Sequence, residues 1–187
     1  MTDRVAFMDY AGLESELVTV LTAYFTATVQ GEGTLADVFA ARVMPENQDD
    51  LLQQYDKGMC NVQYVDSVYA DPASTSIIEQ EETVKVSVFM QTNSMKDATQ
   101  GGYLLIASVK EALIGYKPVD ARTRMWISGY GGWEIADGEV AYYLEFSFRT
   151  VNVQTIVDTS DADTTIDSGG TVTTGGGLLQ VESCLYE

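Results

Sequence analysis

The pair Asp137-Gly138 constrains this chain more than any other feature, because it sits between two long runs of alternating apolar residues. A two-residue hairpin turn needs positive φ at both central positions, and Asp-Gly supplies it. The pair predicts one long hairpin from Arg122 to Val153, in a register where partners' numbers sum to 275. Val140 then faces Ile135, Tyr142 faces Trp133, Leu144 faces Gly131, Phe146 faces Gly129 and Phe148 faces Ile127. Side chains alternate with period two along a strand, so all ten share one face. Leu144 and Phe146 lie opposite glycines, which leaves a notch for another group to fill. The eight larger side chains contribute ~1.5–3 kcal/mol each at full burial, an upper bound that calls for a covering layer. The opposite face carries Trp126, Ser128, Tyr130, Glu134, Arg149, Ser147, Glu145 and Ala141. It is mixed in character and is expected to meet solvent or a polar partner.

Strands of about 14 residues span roughly 45 Å. A compact chain of this length has a radius of gyration of about 16 Å. The hairpin is therefore expected to cross the domain and reach a neighbour, with Trp133 and Tyr130 near its tip. A strongly twisted hairpin held wholly inside the fold is the alternative.

Elsewhere Leu13, Leu17, Val20, Leu21, Tyr24 and Thr28 recur at helical spacing, and Gly31 and Gly33 follow, which predicts a helix over 12–29. Val38 to Met44 reads as a short strand ended by Pro45, and Glu46 to Tyr55 as a short acidic helix or loop. A strand is expected around 60–69, then a polar, mobile loop over 71–81. Thr83 to Thr92 alternates cleanly, with Val84, Val86, Val88 and Met90 on one face. Leu105, Ile106, Val109, Ala112 and Leu113 form the stripe of a second helix after Gly101-Gly102, stopped by Gly115 and Pro118. The expected fold is α+β: a mostly antiparallel sheet with a long C-terminal hairpin, packed by two main helices. It occupies residues 1–154. Residues 155–187 hold acidic, Gly- and Thr-rich sequence with no basic residue, and read as a flexible C-terminal arm. The apolar end from Leu178 to Leu185 is expected to dock as an added strand on a sheet edge, with simple terminal disorder as the alternative.

The net charge is −18, with ten basic residues scattered along the 187. No basic patch emerges for phosphate neutralisation, which argues against tight nucleic-acid binding. Histidine is absent, which removes the commonest general base and most zinc sites. Cys60 and Cys184 show no Cys-x-x-Cys spacing and read as free thiols. No apolar run reaches the ~20 residues of a membrane helix, and the first ten residues lack the pattern of a signal peptide. Asp161, Asp163 and Asp167 do not follow a calcium-loop spacing and read as a solvated acidic linker. Gly129, Gly131 and Gly132 lie within a strand run, with no lysine placed as in a phosphate loop. The aromatic group around Trp126, Tyr130 and Trp133 lacks a basic groove and suits core and interface packing. No catalytic residue, metal ligand or cofactor site is predicted. The hairpin argument and the apolar end give a candidate subunit interface of Trp126, Tyr130, Trp133, Glu134, Tyr143, Glu145, Arg149, Leu179 and Val181.

The opening amphipathic helix, the strand TVKVSVFMQT (83–92), the helix GGYLLIASVKEALIGYKP (101–118) and the long strand EVAYYLEFSFRTV (139–151) together resemble the tail-terminator proteins of long-tailed bacteriophages, the group of the lambda protein U and the Mu-like terminators. The resemblance covers residues 12–153. It implies a structural virion protein, not an enzyme, that assembles in the host cytoplasm into a homohexameric ring at the head-proximal end of the tail. Such a ring stops growth of the tail tube and joins it to neck or head-completion proteins. Its implied partners are copies of itself, the tail tube protein and the neck. DNA passes through the lumen without specific binding, and no membrane or cofactor is involved. Another head–tail connector or tail-completion protein is the alternative, followed by a small-molecule enzyme or binding domain.

Overall fold

The computed structural model describes residues 8–46, 57–71, 77–92, 94, 96–134, 140–155, 164–166 and 172–174. The chain divides into two compact units, Met1–Gln154 and Thr155–Glu187. In the first, helix α1 spans Tyr10–Ala27. Leu13, Leu17, Leu21 and Phe25 recur every four residues and are all buried. The Asp9 carboxylate caps the helix by accepting from the Gly12 N–H at 3.0 Å. A small hairpin of β1 (Val29–Gln30) and β2 (Gly33–Thr34) follows, turning at Gly31 with φ 62°. A 3₁₀ turn over Leu35–Asp37 then leads into strand β3 (Phe39–Val43).

Strands β4 (Gly58–Tyr69) and β5 (Ile77–Thr92) pair antiparallel. Helix α2 (Gly102–Leu113) buries Leu105, Val109 and Leu113 and ends at Gly115, whose φ of 79° is the left-handed stop that glycine favours. Strands β6 (Trp126–Glu134) and β7 (Val140–Thr155) complete a five-stranded sheet in the order β3-β4-β5-β7-β6. Strand β3 pairs parallel with β4, and β6 pairs antiparallel with β7. Both helices lie on one face of this sheet, α1 against β3, β4 and α2, and α2 against β5. Val84, Val86, Val88 and Met90 of β5 point into that layer, with Val62, Leu144, Phe146 and Phe148 beside them. The fold is the α+β sandwich that the sequence predicts.

The hairpin register differs from the Asp-Gly expectation. From Gly129 to Glu134 the partners' numbers sum to 274, so Tyr130 faces Leu144, Gly131 faces Tyr143 and Gly129 faces Glu145. A bulge between Ile127 and Gly129 then shifts the sum again, and Ile127 faces Phe146. A one-residue slip exchanges the faces of one strand relative to the other, and the bulge restores Ile127 to the core side. The ten residues expected on one face are therefore divided. Leu144 and Phe146 do not lie over glycines. The turn itself lies outside the described residues. Strand β6 is nine residues long and β7 sixteen, so the two are unequal rather than about 14 each.

The expected mobile loop over 71–81 is also revised. Strand β5 begins at Ile77, and the Ala70 N–H donates to the Glu81 carbonyl at 2.8 Å. Residues 77–81 are thus strand, and 72–76 of that expected loop lie outside the described residues. Glu82 of this stretch is fully buried. Its carboxyl accepts from the Tyr10 hydroxyl and, at 2.7 Å, from Asn152 Nδ2. Tyr10 also stacks on Tyr64, ring centroids 4.1 Å apart. The start of α1 is thus tied to the ends of β5 and β7.

The second unit contains a short antiparallel pair, β8 (Thr164–Ile166) with β9 (Val172–Thr174). The arm is therefore not wholly irregular. The acidic stretch at 47–55, the acids Asp161, Asp163 and Asp167, and the apolar end from Leu178 to Leu185 lie outside the described residues.

Candidate subunit interface

The face of the sheet turned away from the helices is built from the odd-numbered residues of β5 and β7. Lys85, Ser87, Phe89 and Gln91 alternate with the buried valines, and Tyr143, Glu145, Ser147 and Arg149 alternate with the buried Leu144, Phe146 and Phe148. Alternation alone makes this face polar and aromatic. Ser147 Oγ and Ser128 Oγ meet at 2.8 Å, which puts the bulged Ser128 on it too. Asn61, fully buried on the same side, accepts from Arg42 Nε at 2.7 Å.

Tyr143 and Glu145 lean across from β7 onto β6. A Cβ at Gly131 would meet the Tyr143 ring, with its Cζ at 2.6 Å, and one at Gly129 would meet the Glu145 carboxylate. The glycines at 129 and 131 thus fit a close approach, and the chain's own side chains fill the notch. Phe89 lies beside Tyr143, ring centroids 5.9 Å apart and tilted by 39°. Between these rings and the edge of β4 runs an open groove of about 270 Å³. Its far wall is made where β4 bulges between Tyr64 and Asp66, leaving Val65 out of the ladder and 44% exposed.

The sequence-predicted interface residues do not form one cluster. Tyr143 and Glu145 stand together at the groove. Trp126 is 37% exposed opposite Ser147, and Arg149 forms an ion pair with Glu81 at 3.3 Å, with Arg122 at 4.0 Å from the same carboxylate. Tyr130 departs from its expected face. It pairs with Leu144 on the helix side, yet is 80% exposed because it stands on the edge strand. The backbones of Trp133 and Glu134 pair with Ala141 and Val140, which places both on that edge strand. Leu179 and Val181 lie outside the described residues.

Sequence reasoning missed the groove and a second exposed surface. Tyr103, Ala107, Lys110 and Ile114 recur at helical spacing on the side of α2 away from the sheet. Tyr103 is 57% and Ile114 52% exposed. The signal was present as a second apolar stripe on α2, interleaved with the one that packs.

Among the described residues no group of three or more histidine, cysteine, aspartate or glutamate side chains could hold a metal ion. No described helix is long and apolar enough to cross a membrane.

The profile of a protein family described as Gp37 protein matches residues 36–166. No curated protein matches the chain. Among solved structures, one chain of a "virion of native gene transfer agent (GTA) particle" is similar over 78% of this chain and all of its own, at 18% identity and a TM-score of 0.41.

Proposed function

We propose, from the premise that the chain belongs to the Gp37 protein family, that it is a structural subunit of a phage-like virion. Its role is to form a homohexameric ring that caps the head-proximal end of a tail tube, ends its polymerisation and joins it to the neck. One observation carries the reading. The β6–β7 hairpin ends the five-stranded sheet at β6, which has no further strand beside it among the described residues and carries the exposed Trp126 and Tyr130. An exposed edge with large aromatic side chains is costly for a chain that stays alone, and suits one whose edge is covered by a neighbour. Repetition of one such contact around an axis closes a ring.

The order of helix, strand, helix and long hairpin supports the same reading through its resemblance to tail terminators. Charge supports it as well. A net charge of −18 repels DNA and lets it pass a lumen without sticking. Copies of the chain, the tail tube protein and neck or head-completion proteins are the partners, and no cofactor or metal enters. Native mass measurement tests the reading, with and without the tail tube protein. The expected result is a six-fold ring that binds tube ends, lost on removal of residues 128–144. A protein that stays monomeric in both conditions, or a basic lumen in an assembled ring, would overturn it.

A further inference from the structure

The groove on the outer sheet face holds a carboxylate with nothing to pair it. Glu145 is half-buried, lies over Gly129, and has no hydrogen bond or ion pair among the described residues. Glu145 shares the lining of the groove with the Phe89 and Tyr143 rings and with Gln63, Val65 and Ser87. A carboxylate next to two aromatic rings attracts a cation, through charge and through the ring faces. Neutral or anionic side chains gain neither. Cations are scarce in this chain, ten against 28 acids.

The other side of the sandwich offers one. Lys110 sits in the last turn of α2 and likewise has no hydrogen bond or ion pair for its ammonium among the described residues. It lies within the stripe of Tyr103, Ala107 and Ile114, whose spacing puts all four on one helix face. The adjoining acid does not neutralise it: Glu111 accepts from the Tyr24 hydroxyl. From Tyr103 to Ile114 the stripe extends about 16 Å. It is an exposed apolar ridge with one unpaired cation. The groove is an aromatic-walled hollow with one unpaired anion. They lie on opposite faces of the sandwich, so a contact between them is head-to-tail rather than two-fold, and the same contact is available to every subsequent copy.

We propose that the exposed face of α2 in one copy seats on the outer-sheet groove of the next, with Lys110 against Glu145. This rests on the ring reading and adds a specific contact distinct from the β6 edge. It also gives the partner for both unpaired groups: a second copy of this chain.

Charge reversal tests the contact, read as subunit association by native mass across a concentration series. Glu145→Lys and Lys110→Glu are each expected to weaken association by about tenfold or more, and the double variant to recover most of the loss. Gln63→Lys, at an exposed position on the groove rim, places a competing cation within the same chain. It is expected to weaken association with no change in the melting temperature of the dilute monomer, which separates loss of contact from loss of fold. Wild-type protein that never assembles would sink both this contact and the ring. A ring indifferent to the three single changes, or a double variant with no recovery, would sink this contact alone.

Discussion

The carboxylate of Glu145 lies across Gly129 of the neighbouring strand, closer than a Cβ at that position would permit. The Tyr143 ring covers Gly131 in the same way. The two differ in how easily they yield. Gly131→Ala pushes on a ring already packed against Phe89 and is expected to cost ~1–3 kcal/mol, the range for overpacking. Gly129→Ala pushes on the far end of a flexible side chain and is expected to cost less. Urea unfolding of both variants measures the difference. Tyr143→Ala should recover part of the Gly131→Ala loss, since the two changes share one contact. Equal stability of the two alanine variants would mean that the ring swings away freely.

Glu82 has a second consequence for stability. It is fully buried and takes hydrogen bonds from Tyr10 and Asn152, two residues far from it in sequence. Tyr10→Phe keeps the stacking on Tyr64 but removes one donor from a buried carboxyl group. The expected loss is ~1–3 kcal/mol. The start of α1 should then show faster amide exchange than its middle. Unchanged stability and exchange would show that another donor serves Glu82.

Alkaline pH should unfold the protein through its tyrosines. Burial, and then the hydrogen bond to Glu16, push the Tyr116 phenol up to about 12, where an unfolded tyrosine titrates near ~10. The neutral form is the one the fold favours. Its contribution is therefore complete below about pH 10 and is lost as pH rises toward about 12. Tyr10 shifts in the same direction through burial and its bond to Glu82. Phenolate absorbance and circular dichroism, followed together, should show these tyrosines ionising only as the fold is lost. Tyr116→Phe should flatten that part of the stability profile. Early ionisation of Tyr116 in the folded chain would contradict the burial argument.

Cys60 lies in the core under the helices with no exposed surface, and burial raises its thiol well above the usual range. Only the thiolate reacts. A thiol reagent at neutral pH should leave Cys60 untouched in folded protein and label it fully on unfolding, a measurement best made in a Cys184→Ser background. Rapid labelling of the folded chain would mean that the sheet opens locally beneath α1 and α2.

Much of the fold is legible from local spacing. Leu13, Leu17 and Leu21 indicate α1, Leu105, Val109 and Leu113 indicate α2, and Val84 to Met90 indicate a strand buried on one face. The hairpin shows where such reading stops. The chain reverses between Glu134 and Val140, the interval that holds Asp137-Gly138, yet the register differs by one and shifts again at the Ser128 bulge. Of the interface candidates, Tyr143 and Glu145 converge on the groove, while Tyr130 stands on the other face.

What the sequence determined by itself is therefore its elements: two amphipathic helices, the alternating strands and the place of the hairpin, together with a strongly acidic surface. These follow from residue periodicity and turn chemistry, which act over a few positions. The tertiary structure decided the strand order with β7 inside and β6 at the edge, the register, and the burial of Glu82. It also set the separate exposure of Glu145 and Lys110 on opposite faces. Each depends on which distant segments pack together, a choice that turn chemistry and periodicity over a few positions do not make.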